Sequence, residues 1–220
     1  MNDASSSAAD ATLRTLLDDG VILCLRFRDG SQLVDACRAA ARGGLRVLEI
    51  TLTSPGALDA IRELSSEPDL LVGAGTVLTV ADVEAVAAAG GRFALSPVFD
   101  PVVVEEAGKR GLLAIPGAST PTEILAAHAH GAPVVKVFPA AALGGPAYLR
   151  AIRGPIGHVP MIPTSGPTSE SMAEWFDAGA AAVGVGLEVF PPEGFTMESV
   201  EAAARRVRAS VDEVRAARTA

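Results

Sequence analysis

The 220-residue chain is 49% hydrophobic and 20% charged, with 18 basic and 26 acidic residues and a net charge of −8. No apolar run reaches the length of about 18 residues that a membrane-spanning helix needs, and a composition this apolar excludes a disordered chain. An acidic domain repels phosphate backbones, so no nucleic-acid partner is expected, and the length suits one domain of α/β-barrel size.

In chain order, the polar start MNDASSSAAD lacks a basic region followed by an apolar core. It reads as a disordered tail over 1–9 and not as a signal peptide. A short helix over 10–19 follows. Strands are predicted at 21–27, 46–52, 70–76, 93–97, 112–116, 134–139, 161–164 and 182–186, each short and rich in apolar and β-branched residues. Helical patterns lie between them. Over 31–43, Leu33, Ala36, Cys37, Ala40 and Ala41 recur at helical spacing. Thr120-Pro121-Thr122-Glu123 is a capping box with proline at the first helical position. Ser54-Pro55 and Thr79-x-x-Asp82 are weaker helix starts. Gly43, Gly90, Gly111, Gly131 and Gly179 fall where helices should end. A last helix near 197–217 carries Val200, Ala203, Ala204, Val207, Val211 and Val214 on one stripe.

Eight βα units predict an α/β fold: a single-domain (β/α)8 TIM barrel over 10–220 with a short N-terminal helix. The alternative, a doubly wound open sheet, binds its cofactor at a glycine-rich first turn. Here that turn is Arg28-Asp29-Gly30, and Gly73-Ala74-Gly75 is followed by Leu78 where a third glycine belongs.

Strand alternation separates inward from outward side chains. Leu48, Ile50 and Leu52 should pack on helices, which turns Val47, Glu49 and Thr51 inward. The same alternation turns Ile22, Cys24 and Arg26 inward on the first strand, and Val134, Lys136 and Phe138 on the sixth. Thr76 and Thr164 end the third and seventh runs. Only two of the basic residues are lysines, Lys109 and Lys136. Lys109 sits in a GKRG stretch that looks like an exposed helix end, whereas Lys136 sits inside PVVKVFP. Barrel sites lie at the C-terminal ends of the strands, where these polar groups cluster. A buried ion-pair network would also explain them, but such a pair is often no more stabilising than an apolar substitute.

A lysine in apolar surroundings loses solvation of its charged form, and a neutral amine forms a Schiff base with a carbonyl. Glu49 can shuttle protons. Arg26 and Thr76 can hold a keto-acid carboxylate. Together they suggest a class I aldolase acting on pyruvate-derived keto acids. Other residues point less clearly. His128 and His130 face different directions on a helix, and His158 is distant in sequence, so no metal site is expected. Cys24 has no histidine partner in sequence and reads as packing. Gly144-Gly145 and Gly184-Val185-Gly186 fit plain turns and strand ends as well as backbone anion contacts. Two cysteines in apolar segments suggest buried thiols and a cytoplasmic location.

The chain resembles the KDPG/KHG aldolase family from about residue 13 to 190. The likeness is carried by Gly44-Leu45-Arg46-Val47-Leu48-Glu49-Ile50-Thr51, Val72-Gly73-Ala74-Gly75-Thr76-Val77, Ser96-Pro97, Ile115-Pro116-Gly117, Val135-Lys136-Val137-Phe138-Pro139 and Ala182-Val183-Gly184-Val185-Gly186. The resemblance implies a (β/α)8 barrel, a homotrimer and no metal or organic cofactor, acting on a small-molecule keto acid and an aldehyde. It implies Lys136 as the Schiff-base lysine and Glu49 as the general acid/base. It places Thr76 at the substrate carboxylate, with Pro97, Phe138 and Thr164 lining the pocket. The chain departs from the pattern in several places. Thr53 stands where many members carry arginine, so the carboxylate role moves to Arg26. The family's Thr-Gly-Gly turn reads Thr164-Ser165-Gly166. Leu187 replaces a serine after the Gly184-x-Gly186 pair, and Glu188 follows. These changes thin the donors for a phosphate. The resulting expectation is cleavage of a 2-keto-3-deoxy sugar acid, phosphorylated or not, or of 4-hydroxy-2-oxoglutarate, to pyruvate and an aldehyde. The alternatives are an iminium-forming lyase or decarboxylase and a non-catalytic sugar-acid-binding barrel.

Overall fold

A computed structural model describes residues 3–186, 188–191 and 194–219. Helix α1 (Asp3–Asp19) precedes strand β1 (Val21–Leu25), α2 (Leu33–Arg42), β2 (Val47–Thr51), α3 (Ala57–Leu64), β3 (Leu71–Gly75), α4 (Val80–Ala88) and β4 (Phe93–Leu95). The second half runs through α5 (Pro101–Lys109), β5 (Leu113–Ile115), β6 (Gly117–Ala118), α6 (Pro121–Ala129), β7 (Val135–Val137), α7 (Gly145–Ile156), β8 (Met161–Pro163), α8 (Met172–Asp177), β9 (Val183–Val185) and α9 (Met197–Thr219).

All paired strands are parallel, in the orders β5-β4-β3-β2-β1-β9 and β6-β7-β8. A Thr164–Gly184 bridge joins β8 to β9. Between β5 and β6 stands Pro116, which has no N–H to donate to a ladder, while its carbonyl accepts the Lys136 N–H at 2.9 Å. Strands β5 and β6 are therefore two halves of one stave, and eight staves close the barrel. The predicted fifth strand, ending at 116, continues past its proline.

The expected faces hold. Leu23, Leu25, Leu48, Ile50, Val135 and Val137 are buried in the layer between strands and helices. Ile22, Val47, Phe93, Leu95, Leu113, Ile115, Val134, Ile162 and Ala182 form a separate apolar cluster inside the barrel. Most of these lie at strand beginnings, and Leu16 of α1 joins them, with Leu13 and Leu17 packed alongside. Helix α1 thus plugs the N-terminal end. On α2, Leu33, Ala36, Cys37 and Ala40 are buried as expected, while Ala39 is buried and Ala41 is only half-buried. Of the α9 stripe, Val200, Ala203, Ala204, Val207 and Val211 are buried, and Val214 is partly so.

Three local expectations change. The tail expected over 1–9 is helical from Asp3, because alanine-rich sequence extends α1 by propensity alone. Ser54 does not cap α3, whose N-cap is Gly56. Its hydroxyl instead accepts the Phe27 N–H at 3.0 Å. Several strands are also one to three residues shorter than predicted, because residues at the mouth turn their hydrogen bonds to loops, as Phe27 does. Both capping boxes form: Glu123 Oε2 accepts the Thr120 N–H at 2.8 Å, and Asp82 Oδ2 accepts the Thr79 N–H at 3.0 Å.

If Leu16 closes the barrel floor, Leu16→Ala leaves a cavity that α1 cannot collapse. Urea unfolding should show a loss of about 2–5 kcal/mol; a loss below about 1 kcal/mol would mean that the floor seals without it.

Candidate active site

Glu49 sits mid-strand on β2, in register with Cys24 on β1 and Gly73 on β3. Lys136 sits mid-strand on β7, opposite Gly117. Both side chains point into the barrel, where Glu49 is 1% and Lys136 5% exposed. Lys136 Nζ lies 3.8 Å from Glu49 Oε1. At that separation the two share a charge interaction but not a short hydrogen bond, so the amine is not tied down by its partner. The space for the carboxylate exists because β3 carries glycine at position 75: a Cβ there would collide with Glu49 Oε1. Lys136 Nζ also lies 4.9 Å from the centre of the half-buried Phe138 ring. Lys109, in contrast, is exposed at the end of α5, 3.8 Å from Glu106. Burial separates the two lysines as the sequence suggested.

Burial raises the Glu49 carboxyl above the ordinary glutamate value of 4.5. The Lys136 charge, the Cys24 thiol and the Arg26 charge pull it back without cancelling the rise. Oε2 of Glu49 is buried and has no hydrogen-bond partner among the described residues. Burial, followed by the charge of Glu49, pushes the Cys24 thiol well up. Cys24 therefore stays a thiol at neutral pH and is no nucleophile. It is more than packing, however. Facing Glu49 across the β1–β2 ladder, it favours the ionised carboxylate.

Arg26, just past the end of β1, is exposed at the mouth. Its Nη1 donates to Thr53 Oγ1 at 3.0 Å and its Nη2 to Thr76 Oγ1 at 3.1 Å. Thr53 in turn donates to Thr51 Oγ1 at 3.3 Å, and Thr51 and Ser54 share a hydroxyl contact at 3.2 Å. Hydroxyls from two neighbouring staves hold the guanidinium in place. Thr76 adopts φ 60°, which bends the chain away from β3 at this point. Arg26 and Thr76, each expected at the substrate carboxylate, are hydrogen-bonded to each other. The part played by Thr51, Thr53 and Ser54 was not legible in the sequence, where the run TLTS carries no motif. The one available signal was strand alternation, which puts Thr51 and Thr53 on the same face as Glu49.

The other expected residues divide by position. Thr164 is buried and Pro97 half-buried beside the closing strands. Ser165 and Gly166 are exposed at the rim, with φ of 65° and 158°. Gly184 has a packing reason, since a Cβ there would collide with the Thr164 hydroxyl. Gly144 and Gly145, at φ 117° and 65°, form the turn into α7. Gly186 is half-buried, and its carbonyl accepts the Val189 and Phe190 N–H groups at 3.0 Å each. Leu187 lies outside the described residues. Although remote in sequence, His158 packs on His128 with ring centres 5.8 Å apart. Among the described residues, no group of three or more potential ligands could hold a metal ion.

The family model for "KDPG and KHG aldolase" matches residues 13–205. The chain belongs to the KDPG and KHG aldolase family. It is 36% identical over 156 residues to the 2-dehydro-3-deoxy-phosphogluconate aldolase of Pseudoalteromonas atlantica, covering 70% of this chain and 73% of that one. It is 37% identical over 155 residues to a probable 2-dehydro-3-deoxy-6-phosphogalactonate aldolase of Rhizobium meliloti, covering 68% and 71%. Among solved structures it superposes on the KDPG aldolase of Legionella pneumophila with pyruvate captured as a covalent carbinolamine intermediate. That match has TM-score 0.74 and 32% identity over 89% of this chain and 93% of the other. The protein is a lyase, a class I aldolase of the KDPG/KHG type.

The raised Glu49 pKa has a sign that stability can report. Its contribution is complete below the ordinary value of 4.5 and is lost as pH rises through the higher native value. Glu49→Gln removes that dependence. The Tm difference, mutant minus wild type, should therefore become more favourable to the mutant as pH climbs from about 4.5. A difference that moves the other way would place the native pKa below the ordinary one.

Proposed function

We propose that Lys136 is the Schiff-base residue of this aldolase, Glu49 its proton shuttle and Arg26 the anchor of the keto-acid carboxylate. The observation that carries the reading is the Lys136–Glu49 pair, 3.8 Å apart in an otherwise apolar interior beneath Arg26. The Lys136 amine attacks the C2 carbonyl of a 4-hydroxy-2-keto acid, and the carbinolamine loses water to give an iminium. Glu49 takes the proton of the C4 hydroxyl. The C3–C4 bond breaks, its electron pair moves toward the iminium nitrogen, and an aldehyde leaves with an enamine remaining. Glu49 returns its proton to C3, and water hydrolyses the iminium to release pyruvate and free Lys136. A carboxyl with a raised pKa suits both halves of this cycle.

Thr76 shares the carboxylate with Arg26, while Pro97, Phe138 and Thr164 line the pocket. Ser165, Gly166, Gly184 and Gly186 surround the far end of the substrate. A homotrimer is supported by exposed Leu78, Val80, Val98, Val102 and Leu125, which lie on three successive βα units and would be covered by a second copy. A cytoplasmic location is supported by two free thiols. Among the described residues no helix is long and apolar enough to cross a membrane.

Incubation with pyruvate and borohydride should leave a reduced pyruvyl group on Lys136, located by peptide mass spectrometry. An adduct on Lys109, or none, would overturn the assignment. Glu49→Gln should keep the trapping but slow turnover by roughly 10²–10⁴-fold.

Arg26→Ala should weaken pyruvate binding by roughly ten- to a hundredfold, the measure of about 1.5–3 kcal/mol for a hydrogen bond to a charged group. Unchanged affinity in a titration would assign the carboxylate to other donors.

A further inference from the structure

Two loops leave neighbouring staves at the mouth, one after β8 and one after β9, and a side-chain clasp ties them. The Ser169 N–H donates to Glu188 Oε2 at 2.7 Å, and the Ser169 hydroxyl donates to Glu188 Oε1 in a short hydrogen bond. Both residues are half-buried. The clasp is braced on each side. Thr168 and Ser171 bond to each other across Ser169, through the Thr168 N–H at 3.0 Å and through their hydroxyls at 3.1 Å. Beyond Glu188, Phe190 and Phe195 pack on Phe27 of the β1 rim, with ring centres 5.1 and 5.4 Å from it. Glu188 is thus a fixed carboxylate and not a swinging surface side chain.

Among the described residues Glu188 has no ion-pair partner. The sequence contains no lysine or arginine from position 154 to 204, whereas seven acidic residues, Glu188 among them, fall within that stretch. A carboxylate has about four acceptor sites, and Ser169 occupies two. The others accept hydrogen bonds from hydroxyl groups, but an unprotonated phosphate has none to donate. A dianion at this rim would meet an uncompensated negative charge.

We infer that Glu188, positioned by Ser169, is a specificity determinant that selects an aldehyde half ending in hydroxyl groups and rejects one ending in a phosphate. The inference rests on the aldolase reading and deepens it. The clasp turns the part of the rim facing the far end of the substrate into a hydrogen-bond acceptor. Ser169 acts through Glu188, and neither takes part in bond cleavage.

The test compares kcat/KM for 2-keto-3-deoxygluconate and 2-keto-3-deoxy-6-phosphogluconate, with pyruvate–borohydride trapping run in parallel. Wild type should favour the unphosphorylated acid. Glu188→Gln keeps the shape and removes the charge, so it should move the ratio toward the phosphate ester by about tenfold or more. Ser169→Ala frees the carboxylate to swing into solvent and should move the ratio in the same direction by a smaller factor. Added salt should narrow the wild-type preference, because screening weakens a charge–charge term, and should have little effect in Glu188→Gln; a merely structural role for Glu188 would produce no such salt dependence. Normal trapping with a ratio that Glu188→Gln leaves in place, or with wild type favouring the phosphate ester, overturns this inference alone. A wild-type protein that traps no pyruvate overturns the aldolase reading and this inference with it.

Discussion

A lysine and a glutamate facing each other at 3.8 Å inside an apolar barrel constrain nearly everything around them. Removing two charges from water costs several kcal/mol per ion, and their attraction recovers it only when geometry and neighbours cooperate. Here the neighbours are few. Gly75 yields room for the carboxylate, Cys24 faces it from β1, and Arg26 adds a second positive charge above. Among the described residues Glu49 Oε2 has no hydrogen-bond partner.

The remainder of the barrel buries that pair. Below it, the interior apolar cluster and the α1 plug exclude water from the N-terminal end. A low-dielectric floor strengthens the interaction between the two charges and raises the carboxyl pKa by the same physics. Above it, the rim is polar and divided. On the β1–β3 side, Arg26 is held by threonine hydroxyls and presents positive charge. On the β8–β9 side, Glu188 is held by Ser169 and presents negative charge.

Much of this was legible in the sequence, for reasons that differ by residue. The barrel follows from eight short apolar strands alternating with helical stripes, a periodicity that local physics dictates. Glu49 and Lys136 were identifiable because a charge in a β-branched run contradicts its surroundings and strand alternation gives its direction. Arg26 could be found in the same way. Thr51, Thr53 and Ser54 were not, since three small hydroxyl residues in a strand end look like any loop entry. Cys24 read as packing because nothing adjacent in sequence announced Glu49 as its neighbour.

The sequence by itself determined which side chains face inward, where the chain turns and which lysine is buried, because these depend on neighbours within a few residues. Only the tertiary structure decided the contacts between residues far apart: Glu49 with Lys136, Arg26 with Thr53 and Thr76, His128 with His158, and Ser169 with Glu188. Barrel closure sets those distances through strand register and stagger, a property of the whole ring that no single segment carries.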